Sequence, residues 1–280
     1  MSAPPFIDGL SSLAERYDAL LCDAWGVIHD GRKVFPGVED ALTRFRRERG
    51  PVIILTNAPK PAAAIGPQLD ALGLSRSAYD AIVTSGEATR AEIMQRAPGP
   101  AFRIGWDTDA VLYEGTGAVF SAIAEARFIV CTGLAKEYGY DPEAYRPLLR
   151  EAAAARKEMI CANPDIVVRW KGELMYCAGA VARVYEELGG PVIYAGKPHP
   201  AVYDLSLRRI SEARAEADRS RILAIGDGAG TDILGANEQG FDAVYVVGDG
   251  GVHVGGDEAV ADALAQAGAR ATAAMRGLKW

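Results

Sequence analysis

Short apolar runs ending in glycine or a polar residue recur along the chain, with helix-like stretches between them. "DALLCDAWGV" (18–27), "PVIILTNAP" (51–59) and "DAIVTSG" (80–86) read as strands. The second is apolar with little alternation, the pattern of a strand buried on both faces. Between these runs, "VEDALTRFRRERG" (38–50) has the spacing of an amphipathic helix closed by Gly50, and "PAAAIGPQLDALG" (61–73) is helical. The pattern returns in "PVIYAGKPHP" (191–200), "RILAIGDGAG" (221–230) and "DAVYVVGDGG" (242–251). Strands alternating with helices predict an α/β fold with a doubly wound, Rossmann-like parallel sheet covered on both faces.

The middle of the chain differs. Residues 88–190 hold strand-like pieces, "FRIGWDTDAVLYEG", "RFIVCTGL" and "EMICANPD", and two helices, "DPEAYRPLLREAAAARKE" and "CAGAVARVYEELGG". About 100 residues suffice for a small core of their own. The spacing therefore predicts an inserted α/β domain over 88–190, with 1–87 and 191–280 forming the main domain.

In open parallel sheets, ligands sit outside the carboxyl ends of the strands. The polar tips are the candidate site: Asp23, Thr56-Asn57, Gly196-Lys197 and Gly226-Asp227. Asp23 is either a nucleophile screened by a cation or the cap of a turn. Gly26 lets the backbone turn so that its N–H faces an anion. Thr56 and Asn57 read as a phosphate grip or as an ordinary N-cap. Lys197, held between Gly196 and Pro198, neutralises a phosphate and an aspartate, or is a surface lysine. "ILAIGDGAGTDILGANEQG" (222–240) is the most specific stretch. Its glycines suggest a dinucleotide loop, but the spacing is G-x-G-x-G and Asp227 stands where a pyrophosphate would come. Asp23 and Asp227 from neighbouring tips instead suit Mg²⁺, with Asp232 close by. The later run "GDGGVHVGGD" reads as a solvent loop.

Composition narrows the classes. The chain has 280 residues and a net charge of −7, with no basic run of the kind that binds nucleic acid. Cys22, Cys131, Cys161 and Cys177 have no zinc-ligand spacing and read as buried thiols of a reducing compartment. No secretory pattern and no membrane-spanning apolar run is seen, so a cytoplasmic protein without membrane partners is expected.

Taken together, D-x-x-G-V, T-N, G-K-P and G-D-x-x-x-x-D, in that order, resemble the haloacid dehalogenase (HAD) superfamily of aspartate-nucleophile phosphohydrolases. "TSGEA", "CANPD" and the position of the insert resemble class IIA, in which the inserted domain is a cap. The resemblance implies a Mg²⁺-dependent phosphatase acting on a small phosphorylated metabolite. It makes Asp23 the nucleophile and a metal ligand. Thr56 and the Asn57 backbone hold the phosphoryl group, Lys197 neutralises that group and Asp23, and Asp227 ligates Mg²⁺ with Asp232 completing or supporting the site. Asn163 and Asp165 stand on the cap's inner edge near the substrate. Homodimerisation stays open.

Trp25 departs from the pattern. Hydrolytic members of the superfamily usually carry a second aspartate there, as general acid and base. The backbone carbonyl of Trp25 still serves the metal, but an indole has no proton of useful acidity. General acid–base help contributes roughly 10²–10⁴-fold. Three readings follow: a nearby group such as His29 or Asp30 acts instead; the substrates have good leaving groups; or the protein binds a phosphometabolite without turning it over. The stretches "IGWDTDAVLYEG" and "VVRWKGELMYCAG" carry no code that names the substrate.

Overall fold

A computed structural model gives the fold and describes residues 3–170, 172–213, 218–248 and 256–280. Residues 249–255, most of the run expected to be a solvent loop, lie outside the described residues. In chain order, the strands among the described residues are β1 (Ala19–Cys22), β2 (Val52–Thr56), β3 (Ala81–Thr84), β4 (Ala101–Ile104), β5 (Phe128–Cys131), β6 (Glu158–Cys161), β7 (Val167–Trp170), β8 (Glu173–Tyr176), β9 (Val192–Tyr194), β10 (Ile222–Gly226), β11 (Asp242–Val246) and β12 (Ala273–Met275).

Six of them form one sheet in the order β12-β11-β10-β1-β2-β3, with every neighbouring pair parallel. The order reverses at β1, which lies between β10 and β2. That reversal opens a crevice at the strand tips. Both faces are buried, as the apolar runs require. Leu20, Cys22, Val52 and Ile54 enter one core cluster, and Ala19, Leu21, Ile53 and Leu55 enter another on the opposite face. Full burial of each leucine or isoleucine there stabilises by roughly 1.5–3 kcal/mol.

The helix Val38–Glu48 buries Val38, Ala41, Leu42 and Phe45, the i, i+3, i+4, i+7 stripe of its sequence. It ends at Glu48 with Arg49 as its C-cap, and Gly50, the next residue, closes it by donating its N–H to the Phe45 carbonyl at 3.2 Å. The helix Ala62–Leu72 also closes on a glycine, Gly73, at φ +100°.

The middle of the chain builds a second sheet, β4-β5-β6-β9, also parallel, and an antiparallel hairpin of β7 and β8. The helices Arg146–Ala154 and Ala178–Glu187 cover one face with a separate core cluster. Phe128, Val130 and Ile160, on the other face, join the cluster of the large sheet. Two expectations need correction. "PVIYAGKPHP" is not a strand of the main sheet: β9 pairs with β6, so the chain stays in the second sheet beyond residue 190. In "FRIGWDTDAVLYEG" only β4 is extended, and Asp107–Leu112 coils into a 3₁₀ stretch. All four cysteines are buried and unbridged. No helix among the described residues is long and apolar enough to cross a membrane.

Candidate active site

The tips of β1, β2 and β10, together with the turn after β9, converge on one point. Lys197 delivers its side chain there from the end of the second sheet. Its Nζ lies 2.6 Å from Asp23 Oδ1 and 2.6 Å from Asp232 Oδ1, and donates to the Leu55 carbonyl at 3.0 Å. Burial alone would push the Lys197 ammonium down; Asp23 and Asp232 override it and hold it well above its ordinary range. Burial pushes the Asp23 carboxyl up, to about 7, with Lys197 pulling the other way. Carboxylate oxygens of Asp23, Asp227 and Asp232 lie within 4.8 Å of one another, and all three residues are buried.

The glycines around this cluster make room for it. Gly26 sits at φ +85°, and a Cβ there would collide with the Asp227 carboxylate. At Gly226 a Cβ would collide with the Asp232 side chain. Gly228 donates its N–H to Asp232 Oδ2 at 3.0 Å, which fixes that carboxylate from the side away from Lys197. A π-helical turn, Ala229–Ile233, carries Asp232. The expected anion contact of Gly26 is corrected: its N–H is taken by the His29 carbonyl at 2.9 Å. What the position requires is the missing side chain.

Asn57 binds the parts together. Its Oδ1 accepts from the Lys197 N–H at 2.7 Å, and its Nδ2 donates to the Lys197 carbonyl at 3.2 Å and to Asp165 Oδ1 at 2.9 Å. Desolvation pushes the Asp165 carboxyl up, to about 6, against the pull of Lys197 and Asn57. Asn163 Oδ1 accepts from the Asp165 N–H at 3.1 Å and fixes that turn. Thr56 Oγ1 accepts from the Ala58 N–H at 3.2 Å, which leaves its own hydrogen to donate.

A cavity of about 710 Å³ opens above the cluster. Asp23, Trp25, Thr56, Asn57, Asn163, Asp165, Lys197, Asp227 and Asp232 all line it, so of the expected site residues only Gly26 stands back. Trp25 is partly exposed, packs edge-on against His29 at 5.3 Å, and donates Nε1 to the Arg169 carbonyl on β7. His29 lines the cavity but is buried and unsuited to act as an acid near neutral pH. Burial pushes its imidazole down to about 4, and Nδ1 accepts from the Gly31 N–H at 3.0 Å. Asp30 sits in an exposed turn, where its Oδ1 accepts from the N–H groups of Arg32 and Lys33. Asp30 does not line the cavity. Sequence reading missed Lys60, Trp106, Asp109 and Thr132, which also line the cavity. No motif marks them.

Comparison with known proteins agrees with this geometry. The profile of a family described as haloacid dehalogenase-like hydrolase matches residues 20–125, and a HAD-hydrolase-like profile matches 194–270. A solved haloacid dehalogenase-like hydrolase from Brucella suis is 40% identical, with a TM-score of 0.88, over 98% of this chain and 100% of its own. D-glycerol 3-phosphate phosphatase of Mycobacterium tuberculosis is 28% identical over 250 residues, 85% of this chain. This chain spans 65% of that relative's length. A solved glycerol phosphate phosphatase from the same organism, in complex with calcium, is 26% identical with a TM-score of 0.62, over 83% of this chain and 67% of its own. The chain belongs to the haloacid dehalogenase-like hydrolases, in class IIA.

Proposed function

We propose that the protein is a Mg²⁺-dependent phosphatase that uses Asp23 as nucleophile on a small phosphorylated metabolite. The observation that carries this is the cluster of Asp23, Asp227 and Asp232 with Lys197 in its midst. Hard carboxylate oxygens set this close fit Mg²⁺, with Asp23, Asp227 and the Trp25 carbonyl as ligands and Asp232 in support. The mycobacterial phosphatase forms a complex with calcium, which supports the use of a divalent cation. When bound, the cation supplies positive charge beside the phosphoryl oxygens.

The chain's own residues do the rest. Thr56 and Lys197 hold the phosphoryl group in line with Asp23 and balance charge on its equatorial oxygens. An Asp23 oxygen attacks phosphorus, and the bond to the leaving oxygen breaks. Water then attacks the phosphorus of the aspartyl-phosphate, releasing inorganic phosphate and restoring Asp23. The leaving oxygen takes its proton from solvent, since Trp25 has none to give. Good leaving groups such as aryl or acyl phosphates are therefore favoured over alkyl esters. The second sheet, including β9, with its helices and the hairpin of β7 and β8, acts as the cap that encloses the cavity. The four buried thiols suit a cytoplasmic setting.

Trp25 favours a second reading, a binding protein on the same frame. One experiment separates the two: hydrolysis of 4-nitrophenyl phosphate with Mg²⁺ and with chelator. The phosphatase reading expects turnover that chelation abolishes. Phosphate binding with no turnover would transfer the site to the second reading.

A further inference from the structure

Trp25 takes away a base as well as an acid. The aspartate usual at that position serves the leaving oxygen first and the attacking water second. The indole serves neither. Its Nε1 donates to the Arg169 carbonyl at 3.0 Å, and an indole nitrogen is a donor only. His29 packs edge-on against that ring, and its Nδ1 accepts from the Gly31 N–H at 3.0 Å. The neutral imidazole then carries its proton on Nε2, which leaves no basic nitrogen free. Elsewhere on the cavity wall, Asp109 Oδ2 already accepts from Thr132 Oγ1 at 2.8 Å, and Asp165 Oδ1 from Asn57 Nδ2 at 2.9 Å.

The two chemical steps lose unequally from this. An aryl oxygen departs as an anion and needs no acid. Water is a much weaker acid and still needs the base. For aryl phosphates the second step is therefore the slow one, and the phosphoryl group waits on Asp23. What attacks it depends on what the cavity holds. Trp106, Trp170, Tyr176, Met175 and Leu134 give that space of about 710 Å³ broad apolar walls. The rings of Trp106, Trp170 and Tyr176 are exposed and open to a ligand. Such walls favour an aromatic molecule over water. A phenol seated there stands where the leaving group stood, at an effective concentration that a dissolved molecule does not reach.

We propose that the protein is also a phosphotransferase, which passes the phosphoryl group from Asp23 to an aromatic hydroxyl compound bound in the cavity. The proposal rests on the phosphatase reading for the nucleophile. The phenol oxygen bonds to phosphorus, and the bond from phosphorus to the Asp23 oxygen breaks. Asp23 is restored as a carboxylate, and the phenol proton passes to solvent. That proton is far easier to lose than water's, with a pKa of about 10 against about 15.7. The transfer is the first step run backwards, so an oxygen that leaves without an acid also attacks without a base.

The test supplies 4-nitrophenyl phosphate and Mg²⁺ with increasing millimolar phenol. Absorbance follows nitrophenolate, and phosphorus NMR follows phenyl phosphate and inorganic phosphate. Wild type is expected to release nitrophenolate faster as phenol rises, with no matching rise in inorganic phosphate. Phenyl phosphate should account for the difference and level off as the site fills. Chance attack by about 5 mM phenol in about 55 M water would give on the order of one phenyl phosphate per ten thousand phosphates, whereas a bound acceptor should bring the ratio to about one. Trp25→Asp returns the base that water lacks, so the same ratio should fall by about tenfold or more. Trp170→Ala alters an exposed side chain and should raise the phenol concentration for half effect several-fold; it decides the matter if Trp25→Asp does not fold. Nitrophenolate release that phenol neither speeds nor diverts overturns the transferase and leaves the phosphatase reading standing. A ratio unchanged in folded Trp25→Asp, or a half-effect concentration unchanged in Trp170→Ala, also overturns it. If wild type releases no nitrophenolate, the phosphatase reading fails separately. Acetyl phosphate with phenol then decides the transfer: phenyl phosphate formed would support it, and none formed would overturn it.

Discussion

The indole Nε1 of Trp25 donates to the backbone carbonyl of Arg169 at 3.0 Å, tying the loop after β1 to the hairpin of β7 and β8. His29 packs edge-on against the same ring, and Gly31 at φ +81° leaves the space that the far edge of the indole fills. The residue in the place of the usual acid is thus a strut between the loop after β1 and the hairpin. Trp25→Asp removes the strut and restores a proton donor. It is expected to raise hydrolysis of alkyl phosphates by about 10²-fold or more, and to speed amide hydrogen exchange across 167–176. Trp25→Phe should speed exchange without the gain in turnover. An alkyl-phosphate rate unchanged in Trp25→Asp would show that the missing acid is not what limits the reaction.

Gly26 faces Asp227 with no room for a side chain, in a backbone conformation that L side chains rarely adopt. Gly26→Ala should displace the Asp227 carboxylate and destabilise the fold by roughly 1–2 kcal/mol. Isothermal titration with Mg²⁺ should show a clear loss of affinity. Unaltered Mg²⁺ binding would separate Asp227 from the metal.

Much of this arrangement is legible in the chain. The runs that end at Asp23, Thr56 and Gly226 are apolar because their strands are covered on both faces, and that pattern survives without knowledge of tertiary structure. β9 does not announce its sheet: Val192, Ile193 and Tyr194 would suit either, and only pairing with β6 decides. The reading of Gly26 as an anion donor failed because the His29 carbonyl, three residues on, captures its N–H. Asn57 was noted for its backbone, yet its side chain carries the contacts, with Lys197 140 residues away. Asp109 and Thr132 are brought together by the parallel pairing of β4 and β5, a register that no local signal encodes.

Asn57→Ala removes three hydrogen bonds at once and leaves the Lys197 backbone and Asp165 to find other partners. A loss of about 1–3 kcal/mol in stability is expected, together with a fall in kcat/KM as Lys197 loses its fixed position. Thermal melts and steady-state kinetics on the same sample check both. Full stability in the variant would mean that the three Asn57 hydrogen bonds are dispensable.

His29 makes stability depend on pH. Its imidazole, held down to about 4 by burial, binds a proton less readily folded than unfolded, where 6.5 is ordinary. Its contribution is present above 6.5 and is lost as pH falls toward 4. The full difference corresponds to about 3 kcal/mol. His29→Asn removes the titrating group, so the stability gap between wild type and variant should shrink on acidification through that window. Denaturant titrations between those limits measure the gap, and a constant gap would place His29 in a solvated setting.

The central claim is that Asp23 attacks phosphorus. The most direct measurement is the Mg²⁺-supported rate on 4-nitrophenyl phosphate for wild type and for Asp23→Asn, with circular dichroism to confirm that both are folded. The account predicts that wild type turns over and that the folded variant loses the reaction by about 10³-fold or more, as when a covalent nucleophile is removed. A folded Asp23→Asn protein that keeps its rate to within about tenfold would contradict it.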